Sequence, residues 1–202
     1  MTKMKFCGLT RPEDVAAVNE LKPDYIGFVF WPRSKRLVSD EQAAALKQLL
    51  SPEIQAVGVF VDETPETVAS IANRDIIDLI QLHGSEDAEY IRQLRALTPK
   101  PIIRAFRMKA VESISEITDC TADFILLDSG MGSGTTFDWS TIPDLGRPYF
   151  LAGGLCPENA AEAVAQLHPY ALDVSSGIET GGKKDPAKMA AFAAAVRKES
   201  QL

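Results

Sequence analysis

The chain has 202 residues, 46% of them hydrophobic and 24% charged, and it carries a net charge of −7. This is the balance of one folded domain long enough to bury a sizeable core. The negative charge argues against nucleic acid or an anionic membrane as a partner, because binding either calls for a basic face. In chain order, the apolar run MKFCGL (4–9) reads as a first strand. Thr10 follows as a candidate N-cap for RPEDVAAVNELK, with Pro12 early and acids in the first turn. DYIGFVFW (24–31) is a second strand, and Ser39 opens SDEQAAALKQLL with Gln42 placed to complete a capping box. QAVGVFVD (55–62) precedes a helix from Thr64 and Pro65; LIQLHG (79–84) precedes SEDAEYIRQLRAL, opened by Ser85. PIIRAF (101–106) leads to a shorter helix in VESISEI, and DFILLDS (123–129) leads to a Gly/Ser-rich loop and DWSTIPDL, at best a weak helix. PYFLAGG (148–154) and ALDVSSG (171–177) are each followed by helical segments, starting at Asn159 and Asp185.

Most of these runs are apolar at consecutive positions, as strands covered on both faces are. Eight strands alternating with helices predict an α/β fold with a parallel sheet and right-handed crossovers. Eight repeats predict closure into a single-domain (β/α)8 TIM barrel over residues 1–202; a doubly wound open sheet is the alternative. The three cysteines, Cys7, Cys120 and Cys156, cannot all pair with one another. There is no CxxC, and His83 and His168 are far apart, so the expectation is a reducing cytoplasm, no disulfide scaffold and no metal. No stretch resembles a signal peptide or a membrane span.

In a barrel, chemistry gathers at the C-terminal ends of the strands. Those ends carry Cys7-Gly8, WPRSKR (31–36), Asp62, Gln81 with His83 and Gly84, Arg104 with Arg107, Asp128, Gly153-Gly154, and Asp173 with Ser175, Ser176 and Gly177. The glycine pairs after the seventh and eighth strands could turn backbone N–H groups inward as a phosphate cradle. One such pair alone is better read as a tight turn; two on adjacent strands favour the cradle. Residues 130–137 read equally as a mobile lid or a plain surface loop. In isolation Cys7 is a small buried hydrophobe, Asp128 a cap or surface carboxylate, His83 a satisfied rim histidine and WPRSKR a solvated loop.

Taken together, KFCGLTR, GFVFWPRSKR, VGVFV, QLHG, LLDSGMGSGTTFDW, LAGGL and DVSSGIE resemble the phosphoribosylanthranilate isomerase family of tryptophan biosynthesis, in family order over nearly the whole chain. Lys35 stands where a proline is common, Phe6 where a smaller aliphatic residue is common, and Met131 sits among the glycines of a short GMGSG loop. The resemblance implies an Amadori rearrangement of N-(5-phosphoribosyl)anthranilate, with Asp128 as general acid for furanose opening and Cys7 as general base at C2. It implies that Arg36 holds the anthranilate carboxylate and that Asp173 contacts the ribose and assists Asp128. Gly153, Gly154, Ser176 and Gly177 would hold the phosphate, and His83 would line the site without an assigned step. No cofactor is implied, and the only partner is the small phosphosugar–anthranilate substrate of a stand-alone chain, expected to be a monomer. Strand alternation puts Lys5 on the face of Cys7, where it would favour the thiolate. A two-aspartate histidine-pathway isomerase is disfavoured by Cys7, and a metal-dependent ribulose-phosphate epimerase by the missing His/Asp set. A phosphate-binding module without chemistry is disfavoured by the presence of both Cys7 and Asp128.

Overall fold

The chain's computed structural model describes residues 1–111, 113–128, 139, 142 and 145–200. Eight strands pair in chain order: β1 (Lys3–Cys7), β2 (Tyr25–Val29), β3 (Gln55–Phe60), β4 (Leu79–Leu82), β5 (Ile102–Arg107), β6 (Phe124–Asp128), β7 (Tyr149–Ala152) and β8 (Ala171–Val174). Every neighbouring pair is parallel. On β1, Lys5 is in register with Tyr25 of β2 on one side and with Asp173 of β8 on the other. The sheet therefore closes, and the open-sheet alternative fails at that seam.

The doubly apolar runs follow from closure. Alternate residues such as Tyr25, Val57, Leu79, Ile103, Leu126 and Phe150 form one cluster inside the barrel. Their neighbours Phe6, Ile26, Phe28, Ala56 and Ile80 belong to a second cluster beneath the helices. Each fully buried side chain of this size contributes about 1.5–3 kcal/mol. Phe6, bulky for its position, meets Phe192 edge-on with ring centroids 6.0 Å apart. Lys35 is exposed, so a lysine is accommodated there without burying its charge.

The helices are α1 (Pro12–Leu21), α2 (Asp40–Leu49), α3 (Pro65–Asn73), α4 (Ala88–Leu97), the short α5 (Ser115–Thr118), α6 (Ala160–Leu167) and α7 (Pro186–Glu199). Ser39, Thr64 and Asp185 cap their helices as their positions predict, each side chain accepting from a first-turn N–H. Two starts differ from expectation. Arg11, not Thr10, is the N-cap of α1, because buried Asp14 reaches back to accept from the backbone of both Thr10 and Arg11. Asp87, not Ser85, caps α4; Ser85 instead donates its backbone N–H and its hydroxyl to Asp62. The Gln42 side chain donates to Thr10 O rather than returning to Ser39, so that capping box is half formed.

One element was not anticipated. After β8 comes an antiparallel hairpin, β9 (Glu179–Thr180) and β10 (Lys183–Lys184). Gly181 and Gly182 at its tip have φ of 59° and 77°, the left-handed backbone that two-residue hairpin turns require. The loop 130–137, and DWSTIPDL apart from Trp139, Ile142 and Leu145, lie outside the described residues.

Candidate active site

A cavity of about 550 Å³ opens at the C-terminal ends of the strands. Cys7, Arg36, His83, Asp128, Gly153, Gly154, Asp173 and Ser176 all line it, so strand ends far apart in sequence meet in one space. Gln81, Arg107, Ser34 and Ser175 line it as well. Below this polar ring lies the apolar barrel interior, a rigid floor for the site.

Cys7 occupies a fitted position. Gly27 is its neighbour in register on β2, and a Cβ built there would come within 2.7 Å of the Cys7 sulfur. Glycine at 27 thus makes room for the thiol. Burial pushes the Cys7 thiol up from its ordinary range. Lys5, hydrogen-bonded to it, pulls the other way; Asp173 pushes it up again and Lys184 lowers it. Lys5 therefore favours the thiolate as its place on the strand predicts, but burial outweighs that pull and the thiol is the resting form.

Lys5 is itself fully buried, with Nζ donating to both Asp173 carboxylate oxygens at 3.0 and 2.9 Å. Burial alone would lower its pKa; Asp173 and then Cys7 more than offset this, and Lys5 stays charged. Asp173 thus faces the cavity while anchored to Lys5 across the β1–β8 seam.

Asp128 ends β6 about one-fifth exposed, and its Oδ2 lies 3.1 Å from His83 Nε2. On the other side of the ring, Gln81 Nε2 lies 2.9 Å from His83 Nδ1. The Gln81 amide and the Asp128 carboxyl group hold the two ring nitrogens of His83 between them. His83, for which the sequence suggested no step, is thus the link between a buried amide and the Asp128 carboxylate. Gln81 stood among the strand-end residues, yet its role depends on a ring orientation that sequence does not carry.

The two glycine turns are held together by close backbone packing. Gly153 and Gly154 have φ of 91° and 66°, which favours glycine. A Cβ at Gly177 would stand 1.9 Å from the Leu155 carbonyl oxygen, so only glycine lets the loop after β8 lie against the loop after β7. Gly177 sits behind the cavity wall, while Gly153, Gly154 and Ser176 form it. Asn159 locks the first loop, donating to Gly154 O at 3.0 Å and accepting from Cys156 N at 2.9 Å. Ser176–Ile178 forms a single 3-10 turn beside it.

Arg36 enters from the loop after β2. Its Nε and Nη2 each donate to Glu179, at 2.7 Å to Oε1 and Oε2. Gly8 lets this happen: with φ of 79° it favours glycine, and a Cβ there would lie 2.3 Å from Arg36 Cδ.

The family described as N-(5'phosphoribosyl)anthranilate (PRA) isomerase matches residues 4–195. The chain belongs to the phosphoribosylanthranilate isomerase family. A curated relative of that name from Endomicrobium trichonymphae is 45% identical over 190 residues, covering 92% of this chain and 93% of the relative. The crystal structure of phosphoribosyl anthranilate isomerase from Thermotoga maritima superposes with a TM-score of 0.88 at 37% identity, over 98% of this chain and all of the other. Another solved phosphoribosyl anthranilate isomerase, 36% identical with a TM-score of 0.85 over 98% of this chain and 100% of its own, was crystallised with reduced 1-(o-carboxyphenylamino)-1-deoxyribulose 5-phosphate. As a member of the family, the chain is an isomerase of tryptophan biosynthesis that catalyses an Amadori rearrangement. Among the described residues, no helix is long and apolar enough to cross a membrane.

Proposed function

We propose that Asp128 and Cys7 act as general acid and general base on N-(5'-phosphoribosyl)anthranilate, held by Arg36 at its carboxylate and by residues 153–154 and 176–177 at its phosphate. The observation that carries this reading is the shared cavity: acid, base, carboxylate fork and the Gly153, Gly154 and Ser176 part of the cradle line one space of about 550 Å³, with Gly177 behind it. Asp128 gives a proton to the furanose oxygen as the anilino nitrogen lone pair expels the C1–O bond. This leaves a C1=N iminium and a free C4 hydroxyl. The iminium acidifies the C2 proton; Cys7, its own thiol proton released to solvent, removes that proton as the thiolate, and the C–H electron pair becomes a C1=C2 bond and neutralises the nitrogen. C1 then takes a proton and the C2 hydroxyl releases one, giving the ketone. Cys7 is left as the resting thiol and Asp128 regains a proton, which resets the site.

The environment of Cys7 suits its role, and that of Asp128 fixes its carboxyl group in place. Burial keeps Cys7 a thiol at rest, and Lys5 and Lys184 stabilise the thiolate when it forms. His83, oriented by Gln81, fixes Asp128 through Oδ2. Asp173, on the same wall, is the acceptor that reaches the ribose hydroxyls, with Lys5 fixing its direction.

Turnover is followed by loss of the fluorescence of the anthranilate adduct. Arg36→Ala should chiefly raise KM, and the product analogue should bind about 1.5–3 kcal/mol more weakly, the usual loss for a charged hydrogen bond. If Arg36→Ala binds that analogue as tightly as the parent does, the carboxylate assignment is wrong. A parent chain that binds the analogue but turns nothing over would favour the binding-module reading instead.

A further inference from the structure

Glu179 and Lys184 do not line the cavity, yet Lys184 is buried, Glu179 is largely covered, and both are bonded to residues that do line it. They sit directly opposite one another on β9 and β10. The Gly181-Gly182 turn fixes that register, so both side chains leave the same face of the hairpin. Lys184, 2% exposed at its side chain, donates to Glu179 Oε1 at 2.6 Å and to Ser175 O at 2.9 Å. Glu179, 10% exposed at its side chain, receives the Nε and Nη2 edge of Arg36 in a two-point fork. The hairpin is tied down on both sides: Arg11 Nη2 donates to Lys184 O at 3.1 Å and Lys188 Nζ to Glu179 O at 2.7 Å.

A guanidinium has five N–H donors in one plane. The fork with Glu179 uses two of them and leaves the Nη1–Nη2 edge for a second carboxylate. A fork at one edge also fixes the plane and heading of the other. Charge presents an obstacle, because one carboxylate cancels one guanidinium. Lys184 removes it: Lys184, Glu179 and Arg36 together carry one net positive charge, so the free edge still attracts an anion.

We propose that the Glu179–Lys184 pair is a positioning device for Arg36, aiming its free edge at the substrate's ortho-carboxylate and so selecting carboxylated N-aryl phosphoribosylamines over uncarboxylated ones. This rests on the reading that Arg36 receives that carboxylate. Neither residue touches substrate; both act through Arg36.

The test compares two probes, reduced 1-(o-carboxyphenylamino)-1-deoxyribulose 5-phosphate and its counterpart without the carboxyl group, with affinities measured by calorimetry. Glu179→Gln should weaken the carboxylated probe about tenfold or more, the scale of one misdirected charged hydrogen bond. The uncarboxylated probe should change by less than about twofold, since the loss is confined to the carboxylate contact. Arg36→Ala should abolish the preference between probes, and Glu179→Gln added to Arg36→Ala should cost the carboxylated probe nothing more. Glu179→Asp keeps the charge but withdraws it from the fork by one methylene; it should lose the preference too, and it carries the test if Glu179→Gln does not fold. Equal weakening of both probes, or an unchanged preference in a folded Glu179 variant, overturns the proposal. An unchanged preference in Arg36→Ala overturns the carboxylate reading and this proposal with it, and is told apart by the variant in which it appears.

Discussion

Cys7 shows how much of a residue's chemistry lies in its neighbours. KFCGLTR puts a thiol at a strand end, and alternation puts Lys5 beneath it; both can be read from sequence. Gly27, which leaves room for the sulfur, and Asp173, which opposes Lys5, come from strands β2 and β8 and cannot be read from that stretch. The outcome is a thiol pushed up by burial. If the thiolate is the base, single-turnover rates should rise with pH above neutrality, by about tenfold per unit while the thiol is mostly protonated. Stability should move the opposite way. A thiol whose pKa is raised on folding contributes fully below the ordinary value of about 8.5, and that contribution is lost as pH rises through the folded value. Urea titrations of the parent and Cys7→Ala should therefore diverge on the alkaline side, with the parent losing more. Single-turnover rates that are flat across that range would deny Cys7 the role of base.

At the level of elements, the alternation of runs and helices was legible along the described residues, and the starts of α2, α3 and α7 fell where their caps predicted. Misses came where several capping residues crowd together. In TRPED the true cap is chosen locally, by Asp14 turning back on Thr10 and Arg11; in SED it is chosen by a tertiary contact, Asp62 drawing Ser85 away. The hairpin over 179–184 escaped because two-residue strands carry no periodicity, although Gly181-Gly182 between polar residues is a turn signal. The loops after β7 and β8 act as one element, since Gly177 lies against the Leu155 carbonyl. Gly177→Ala should force those loops apart, because backbone on the other side cannot give way. Titrated with inorganic phosphate, a folded Gly177→Ala chain should bind at least about tenfold more weakly, given the usual worth of a hydrogen bond to a charged group. Equal phosphate affinity would place the anion elsewhere.

For the whole molecule, the rhythm of the sequence foretold the number and direction of the barrel strands, but an open sheet has the same rhythm. Closure is a pairing between residues 168 positions apart, and the buried Lys5–Asp173 bond sits on it. Sequence separation hides such a contact, which is why the sequence shows Asp173 as a ribose contact and a helper of Asp128 but not as the partner of Lys5. Removing one partner of a buried ion pair typically costs about 3–5 kcal/mol, because the other is left uncompensated. Lys5→Met should therefore destabilise the barrel by that order in urea unfolding. Lys5→Met with Asp173→Leu should regain most of the loss while turnover stays low. A Lys5→Met barrel within about 1 kcal/mol of the parent would show that the seam does not depend on this pair, against the usual cost of such a charge.

In the proposed mechanism one cavity runs two proton transfers in order, Asp128 first and Cys7 second. Single-turnover kinetics on folded Asp128→Asn, Cys7→Ala and the double variant test it most directly. Asp128→Asn should block ring opening, and Cys7→Ala should open the ring and stall at the imine. Each loss should be about 10²–10⁴-fold or greater, the usual contribution of a general acid or base. The double variant should fall short of the product of the two losses, because the slower remaining step governs the path. A folded Cys7→Ala chain turning over at close to the parent rate would contradict the account.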